Sequence, residues 1–180
     1  MNAVLEIVPY DPRWPGEFAA EAERIRSVLG ALALRIDHNG STSVPGLAAK
    51  PIIDIQISVA DLVPIDRYRG PLESIGYVHV PHADDSFCPY FHKPREWPHS
   101  HHVHVVRAGD AEERRTLAFR DYLRAHPETA REYAELKTRL AGQFGSGGSA
   151  SHDAYANAKT EFIERVVAAA LGEGHPQALR

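Results

Sequence analysis

The residues with the clearest chemical promise are a glycine–serine turn and a lone carboxylate. Asp37-His38-Asn39-Gly40-Ser41-Thr42 is followed, about a dozen residues on, by Asp54 inside the run Ile52-Ile53-Asp54-Ile55-Gln56-Ile57. Gly40 lets the backbone approach a ligand closely, and Ser41 adds a hydroxyl and an N–H, a combination suited to phosphate. A carboxylate among isoleucines is costly unless something compensates it, so a metal, a basic side chain or a ligand is expected at Asp54. The same residues also fit an ordinary turn and a strand aspartate satisfied by backbone N–H groups or an arginine.

A second cluster is His99-Ser100-His101-His102-Val103-His104. Its β-branched continuation predicts a strand, on which His102 and His104 share one face and His101 takes the other. Two imidazoles at that spacing suit a shared metal, with Asp54 as a third, hard ligand. The same histidines also fit a polar cleft that binds only anions or water, or an exposed edge strand without function. Tyr133 with Lys137, and Tyr155 with Lys159, are i,i+4 pairs that share a helix face and can grip phosphate or carboxylate, or can simply be solvated.

The elements that must position these groups follow from periodicity. A proline- and aromatic-rich lead-in precedes a helix over about Pro15 to Leu29, with Phe18, Ala22, Ile25 and Leu29 on one face. A short strand over Arg35 to Asn39 delivers the turn, and Val44 to Ala49 is too short for more than a turn. Ile52 to Val59 reads as a strand with Asp54, Gln56 and Ser58 on one face and isoleucines on the other. A helix over Pro64 to Ile75 is stopped by Gly76, and short strands follow at Tyr77 to Val80 and Phe87 to Lys93, with a turn at His82 to Asp85. Helices are expected over Asp110 to Ala125, Pro127 to Ala141 and Asp153 to Leu171, with Gly145 to Ser149 as a flexible loop. Strands dominate the first half and helices the second, which predicts an α+β fold.

Composition bounds the function. The chain has 180 residues, 43% of them hydrophobic, and a net charge of −4, which argues against a general nucleic-acid binder. Cys88 is the only cysteine, so an intramolecular disulfide and a cysteine-rich metal site are excluded. No apolar run approaches membrane-spanning length, and Met1 to Glu6 lack the pattern of a signal peptide, so a cytoplasmic protein without membrane partners is expected.

Assembled, these motifs resemble the GrpB family, an uncharacterised family placed in the nucleotidyltransferase superfamily. The resemblance is carried by Val8-Pro9-Tyr10-Asp11-Pro12-x-Trp14-Pro15, by His38-x-Gly40-Ser41-Thr42-Ser43-Val44-Pro45-Gly46-Leu47 and by Ala49-Lys50-Pro51-Ile52-Ile53-Asp54-Ile55. His101-His102-Val103-His104-Val105, Phe119-Arg120-Asp121-Tyr122-Leu123-Arg124, Tyr133-x-x-Leu136-Lys137 and Tyr155-x-x-x-Lys159-x-x-Phe162-Ile163 extend it almost to the C-terminus. The resemblance implies one domain over residues 1–172 with a frayed tail over 173–180. It also implies a mixed, mostly antiparallel sheet flanked by helices, with a helical C-terminal half. Similar domains are known fused behind dephospho-coenzyme A kinases, which implies a nucleotide or coenzyme context.

The superfamily pattern places two alternating acids on the strand after the turn, and a third on a neighbouring strand, to hold divalent metal. Asp54 matches the first acid, Gln56 stands where the second belongs, and His102 or His104 falls in the region of the third. The resemblance thus implies Asp54, His102 and His104 as catalytic and metal-binding residues, with Mg, Mn or Zn as the expected ion. Gly40, Ser41, Thr42, Lys50, Arg120, Lys137, Tyr155 and Lys159 would bind the phosphorylated small molecule. A transferase acting on a nucleotide or similar ligand is the leading expectation. A non-catalytic nucleotide or coenzyme sensor, an acyl- or amide-forming enzyme reusing the cleft, and a scaffold without ligand stay open.

Overall fold

The computed structural model describes residues 6–144 and 154–176. The expected loop over Gly145 to Ser149 and the last four residues of the expected tail lie outside the described residues.

Alternation along the central strand organises the molecule. Strand β2 (Ile53–Val59) buries Ile53, Ile55, Ile57 and Val59 in one core and turns Asp54, Gln56 and Ser58 to the opposite face. It pairs antiparallel with β1 (Arg35–Asn39) and parallel with β5 (His101–Arg107). Beyond β5 the sheet continues antiparallel through β4 (Tyr90–Lys93) and β3 (Val78–His79), in the order β1-β2-β5-β4-β3. The mixed, mostly antiparallel sheet of the expected α+β fold is thus present. The two short strands are shorter than the sequence pattern suggests: the Tyr77 N–H is taken by the Leu72 carbonyl, and Pro89, just before β4, has no N–H for the ladder.

One face is covered by α1 (Trp14–Leu29) and α2 (Asp66–Ser74), whose Trp14, Ile25, Leu29, Tyr68 and Leu72 pack on the isoleucines of β2 and on Val103 and Val105 of β5. Within this apolar layer Glu21 is buried, and its carboxylate accepts hydrogen bonds from Lys93 Nζ at 2.5 Å and Tyr77 Oη at 3.0 Å. The other face carries α3 (Ala111–Ala125). Thr116 Oγ1 donates to Gln56 Oε1 at 2.5 Å, Ser58 donates to the buried Glu113, and Glu113 accepts the Gly109 N–H at 2.7 Å.

Helices α4 (Pro127–Phe144) and α5 (Thr160–Gly172) complete the helical half. The last helix was expected from Asp153, which lies outside the described residues; from residue 154 the helix is interrupted by a turn at 158–159, between a short helical stretch and α5. Leu123, Tyr133 and Val166 join Val44 and Leu47 in a second core, which docks the helical half on the segment that follows the glycine–serine turn. Among the described residues no helix is long and apolar enough to cross a membrane.

Candidate functional site

Asp54 sits near the start of β2, where the strand emerges beside the turn. The parallel register sets Asp54 opposite His102 and Gln56 opposite His104, so all four project from one face, while His101 takes the other. Asp54 Oδ1 lies 3.4 Å from His102 Nδ1, and His102 Nε2 lies 3.2 Å from His99 Nδ1. Asp54, His102 and His99 therefore form a hydrogen-bonded row. Burial alone would raise the Asp54 carboxyl, yet the hydrogen bond and charge of His102, with His104 and Lys159 further off, hold it below the ordinary carboxylate range.

Gly40 has φ 63° and ψ −171°, a conformation that favours glycine. A Cβ there would stand 2.8 Å from Cβ and Cγ of Asp54. The expected opening for phosphate is therefore filled: the missing side chain makes room for the carboxylate. Thr42 is likewise occupied, its hydroxyl 3.0 Å from His38 Nε2 and donating to the Ile52 carbonyl at 3.2 Å.

Asp54 and His102 open into a cleft of about 190 Å³ that is also lined by Ser41, Lys50, Lys137, Tyr155 and Lys159. Three ammonium groups from three separate segments converge on it. Lys50 and Lys159 place Nζ 4.4 and 4.3 Å from the centroid of the Tyr155 ring, and Lys137 Nζ lies 4.7 Å from that of Tyr133. Lys137 is almost wholly buried and donates to the Ala48 carbonyl at 2.5 Å. Burial, then repulsion from Lys159, pulls Lys137 down to about 7 and Lys50 to about 8, with Asp54 opposing the fall. Lys159 is lowered for the same first cause, burial. Protonated lysines in this cleft lack full charge compensation, which an entering anion would supply.

The cleft thus gathers Ser41, Thr42, Lys50, Asp54, His102, Lys137, Tyr155 and Lys159. Arg120 is not among its lining residues. Its guanidinium donates to Asp121 at 2.7 Å and to the His38 carbonyl at 3.2 Å, and so holds β1 to α3. His104 turns Nδ1 toward Cys88 Sγ at 3.7 Å and packs against Tyr90, and burial lowers it to about 4. Gln56 is buried, and its Oε1 is engaged by Thr116. Among the described residues no three His, Cys, Asp or Glu side chains gather as a metal-binding group. Two contributors were missed in the sequence. His99 completes the row behind His102, a role set by the loop before β5 rather than by strand phase. His38 is buried, stacked on Phe18 at 4.7 Å, and lowered to about 4 by burial and by Arg124.

Comparison with known proteins supplies the context for this geometry. The family described as GrpB protein matches residues 4–169. A UPF0157 protein of Pseudomonas aeruginosa is 42% identical over 170 residues, covering 93% of this chain and 68% of that protein. A dephospho-CoA kinase of Mycolicibacterium paratuberculosis is 33% identical over 170 residues, covering 81% of this chain but 42% of the kinase. The crystal structure of GrpB from Enterococcus faecalis superposes with a TM-score of 0.83 at 35% identity, covering 93% of this chain and 98% of that one. The MgGTP-bound Cid1 poly(U) polymerase superposes with a TM-score of 0.53 at 15% identity, over 82% of this chain and 50% of the polymerase. That likeness establishes a nucleotidyltransferase-like fold.

Proposed function

The chain belongs to the GrpB protein family, and on that premise we propose that its lysine-lined cleft binds the phosphate of a nucleotide or another phosphorylated small molecule, as the substrate site of a transferase. The observation that carries this reading is the convergence of Lys50, Lys137 and Lys159 on one cleft, two of them brought near neutral pH by burial and mutual repulsion. Ser41 would add a hydroxyl to the phosphate. Asp54 would accept the proton of an incoming hydroxyl, with His102 as the group that positions it.

Asp54, His102 and His104 are the residues that would hold a divalent ion. Their donor set does not fit a two-metal centre: one carboxylate, an amide at Gln56 already engaged, and ammonium groups nearby. The lysines would therefore neutralise the phosphate charge. A non-catalytic sensor is the second reading, favoured by that engaged amide.

Calorimetric titration with pyrophosphate, nucleoside di- and triphosphates and coenzyme A derivatives tests the proposal. Relatives named dephospho-CoA kinase justify the last group. An anion favours the protonated lysines, so binding should take up protons at neutral pH. It should weaken as pH rises through about 7 for Lys137 and about 8 for Lys50. Absence of binding by every phosphate compound at pH 6.5 would refute the reading. Binding without transfer of a labelled phosphoryl or nucleotidyl group to any acceptor would favour the sensor.

A further inference from the structure

A smaller, more apolar recess adjoins the lysine cleft and shares two of its walls. It is lined by Lys50, Pro51, Ile52, Trp97, Pro98 and His99, and Lys50 and Ile52 also line the cleft that holds Asp54. Trp97 retains 37% of its accessibility and meets His99 edge-on, with ring centroids 5.1 Å apart. Further contacts of His99 fix this wall: its ring stacks on His92 at 3.8 Å, and its Nδ1 faces His102. Two proline rings and an indole give flat apolar surface, while Glu6 brings to the edge a carboxylate that accepts hydrogen bonds.

Resting on the phosphate reading above, we infer that this recess is the nucleobase subsite of the same ligand: a nucleoside phosphate lies across Lys50, its phosphates in the lysine cleft and its planar base against Trp97. Three observations favour a base over an aliphatic chain. The partly accessible indole of Trp97 suits stacking, which tolerates any planar heterocycle. The recess is continuous with the cationic cleft along Lys50 and Ile52, so a single small ligand reaches both. Glu6 is placed to accept from an exocyclic amino group, which adenine, guanine and cytosine carry. The recess also ends on His99, which is hydrogen-bonded through His102 to Asp54, so an occupied recess would steady the row that orients the carboxylate.

The test titrates the full chain with ADP, adenosine and inorganic pyrophosphate, following tryptophan fluorescence and heat. The chain has two tryptophans, and Trp14 is buried in the core, so a ligand-induced change reports on Trp97. ADP and adenosine should quench, pyrophosphate should not, and ADP should bind more tightly than pyrophosphate. Trp97→Ala should weaken ADP about ten- to hundredfold, the range that loss of one base stack produces, and leave pyrophosphate binding unchanged. Trp97→Phe should retain most of the affinity. Pyrophosphate binding with ADP no tighter and indifferent to Trp97→Ala would overturn the subsite and leave the phosphate reading standing. Adenosine binding that depends on Trp97, without pyrophosphate binding, would keep the subsite and refute the phosphate reading. No binding of any of the three overturns both.

Discussion

Replacing Lys137 by methionine should make the protein more stable while weakening its hold on phosphate. Lys137 is 3% exposed, and its amine falls from 10.5 to about 7 on folding, with burial the first cause and Lys159 the second. Because the folded value lies below the unfolded one, the unfolded chain binds more protons between pH 7 and 10.5, and the folded state gains stability as pH rises through that window. Below pH 7 the whole penalty is present, about 5 kcal/mol at 1.36 kcal/mol per pH unit. Methionine fills similar space without the charge. It forfeits the hydrogen bond to the Ala48 carbonyl, worth about 1–2 kcal/mol, so the net gain at pH 6 is about 3 kcal/mol. At roughly 2–4 °C per kcal/mol for a chain of this size, Tm should rise by about 6–12 °C at pH 6. The advantage should shrink steadily above pH 7 and vanish toward pH 10. Differential scanning calorimetry of both proteins from pH 6 to 10, with pyrophosphate titrations alongside, measures each part. A variant destabilised by the same amount at every pH would refute the reasoning, since it would show no charge penalty at Lys137.

Other substitutions probe the surrounding parts. Gly40→Ala adds a Cβ 2.8 Å from the Asp54 side chain at φ +63°, and should cost about 2–4 kcal/mol in urea unfolding; a neutral effect would mean that Asp54 does not rest on this glycine. Lys93→Met leaves the buried Glu21 carboxylate without its cationic partner; it should cost about 3 kcal/mol yet leave pyrophosphate affinity unchanged, because the pair lies on the opposite face of the sheet. Gln56→Asp places a second carboxylate two residues from Asp54 on the same face; Tm without metal should fall, and the rise on adding Mn²⁺ should exceed that of the unaltered protein. No extra rise would mean that the neighbouring ammonium groups outweigh the added charge. His38, lowered from 6.5 to about 4 by burial and by Arg124, should remain neutral in NMR titrations from pH 8 to 5. Its folded value lies below the unfolded one, so its contribution is intact above pH 6.5 and about 3 kcal/mol is lost as pH falls to 4.

Sequence reasoning read faces well and neighbours poorly. The period-2 pattern of Ile53 to Val59 encodes which side chains enter the core, because a one-residue slip would bury Asp54, Gln56 and Ser58 instead. The spacing of His102 and His104, and the i,i+4 links from Tyr133 to Lys137 and from Tyr155 to Lys159, are equally local and equally visible. Which strand lies beside which is not local. Nothing in the sequence of β5 states that it pairs parallel to β2, so the joining of Asp54 to His102 rests in the sequence on ligand chemistry and on the superfamily resemblance, not on a local pattern. The placing of both Lys50 and Lys159 against the Tyr155 ring depends on two cores docking, beyond any periodicity. Gly40 shows a different limit: a glycine required by a crowding neighbour reads in sequence like one required by a ligand.

The cleft lies along the seam between those two cores. Asp54, His102 and Lys50 belong to the sheet side, whereas Lys137, Tyr155 and Lys159 come from the helical side. Chemically the molecule is split into a half that supplies the acid and a half that supplies most of the cations. An anion held by both would act as a rivet, adding its binding energy to the docking of helices on sheet. The division also leaves the helical half free to vary its charges, and so the ligands it suits, without disturbing the carboxylate or the strands that carry it.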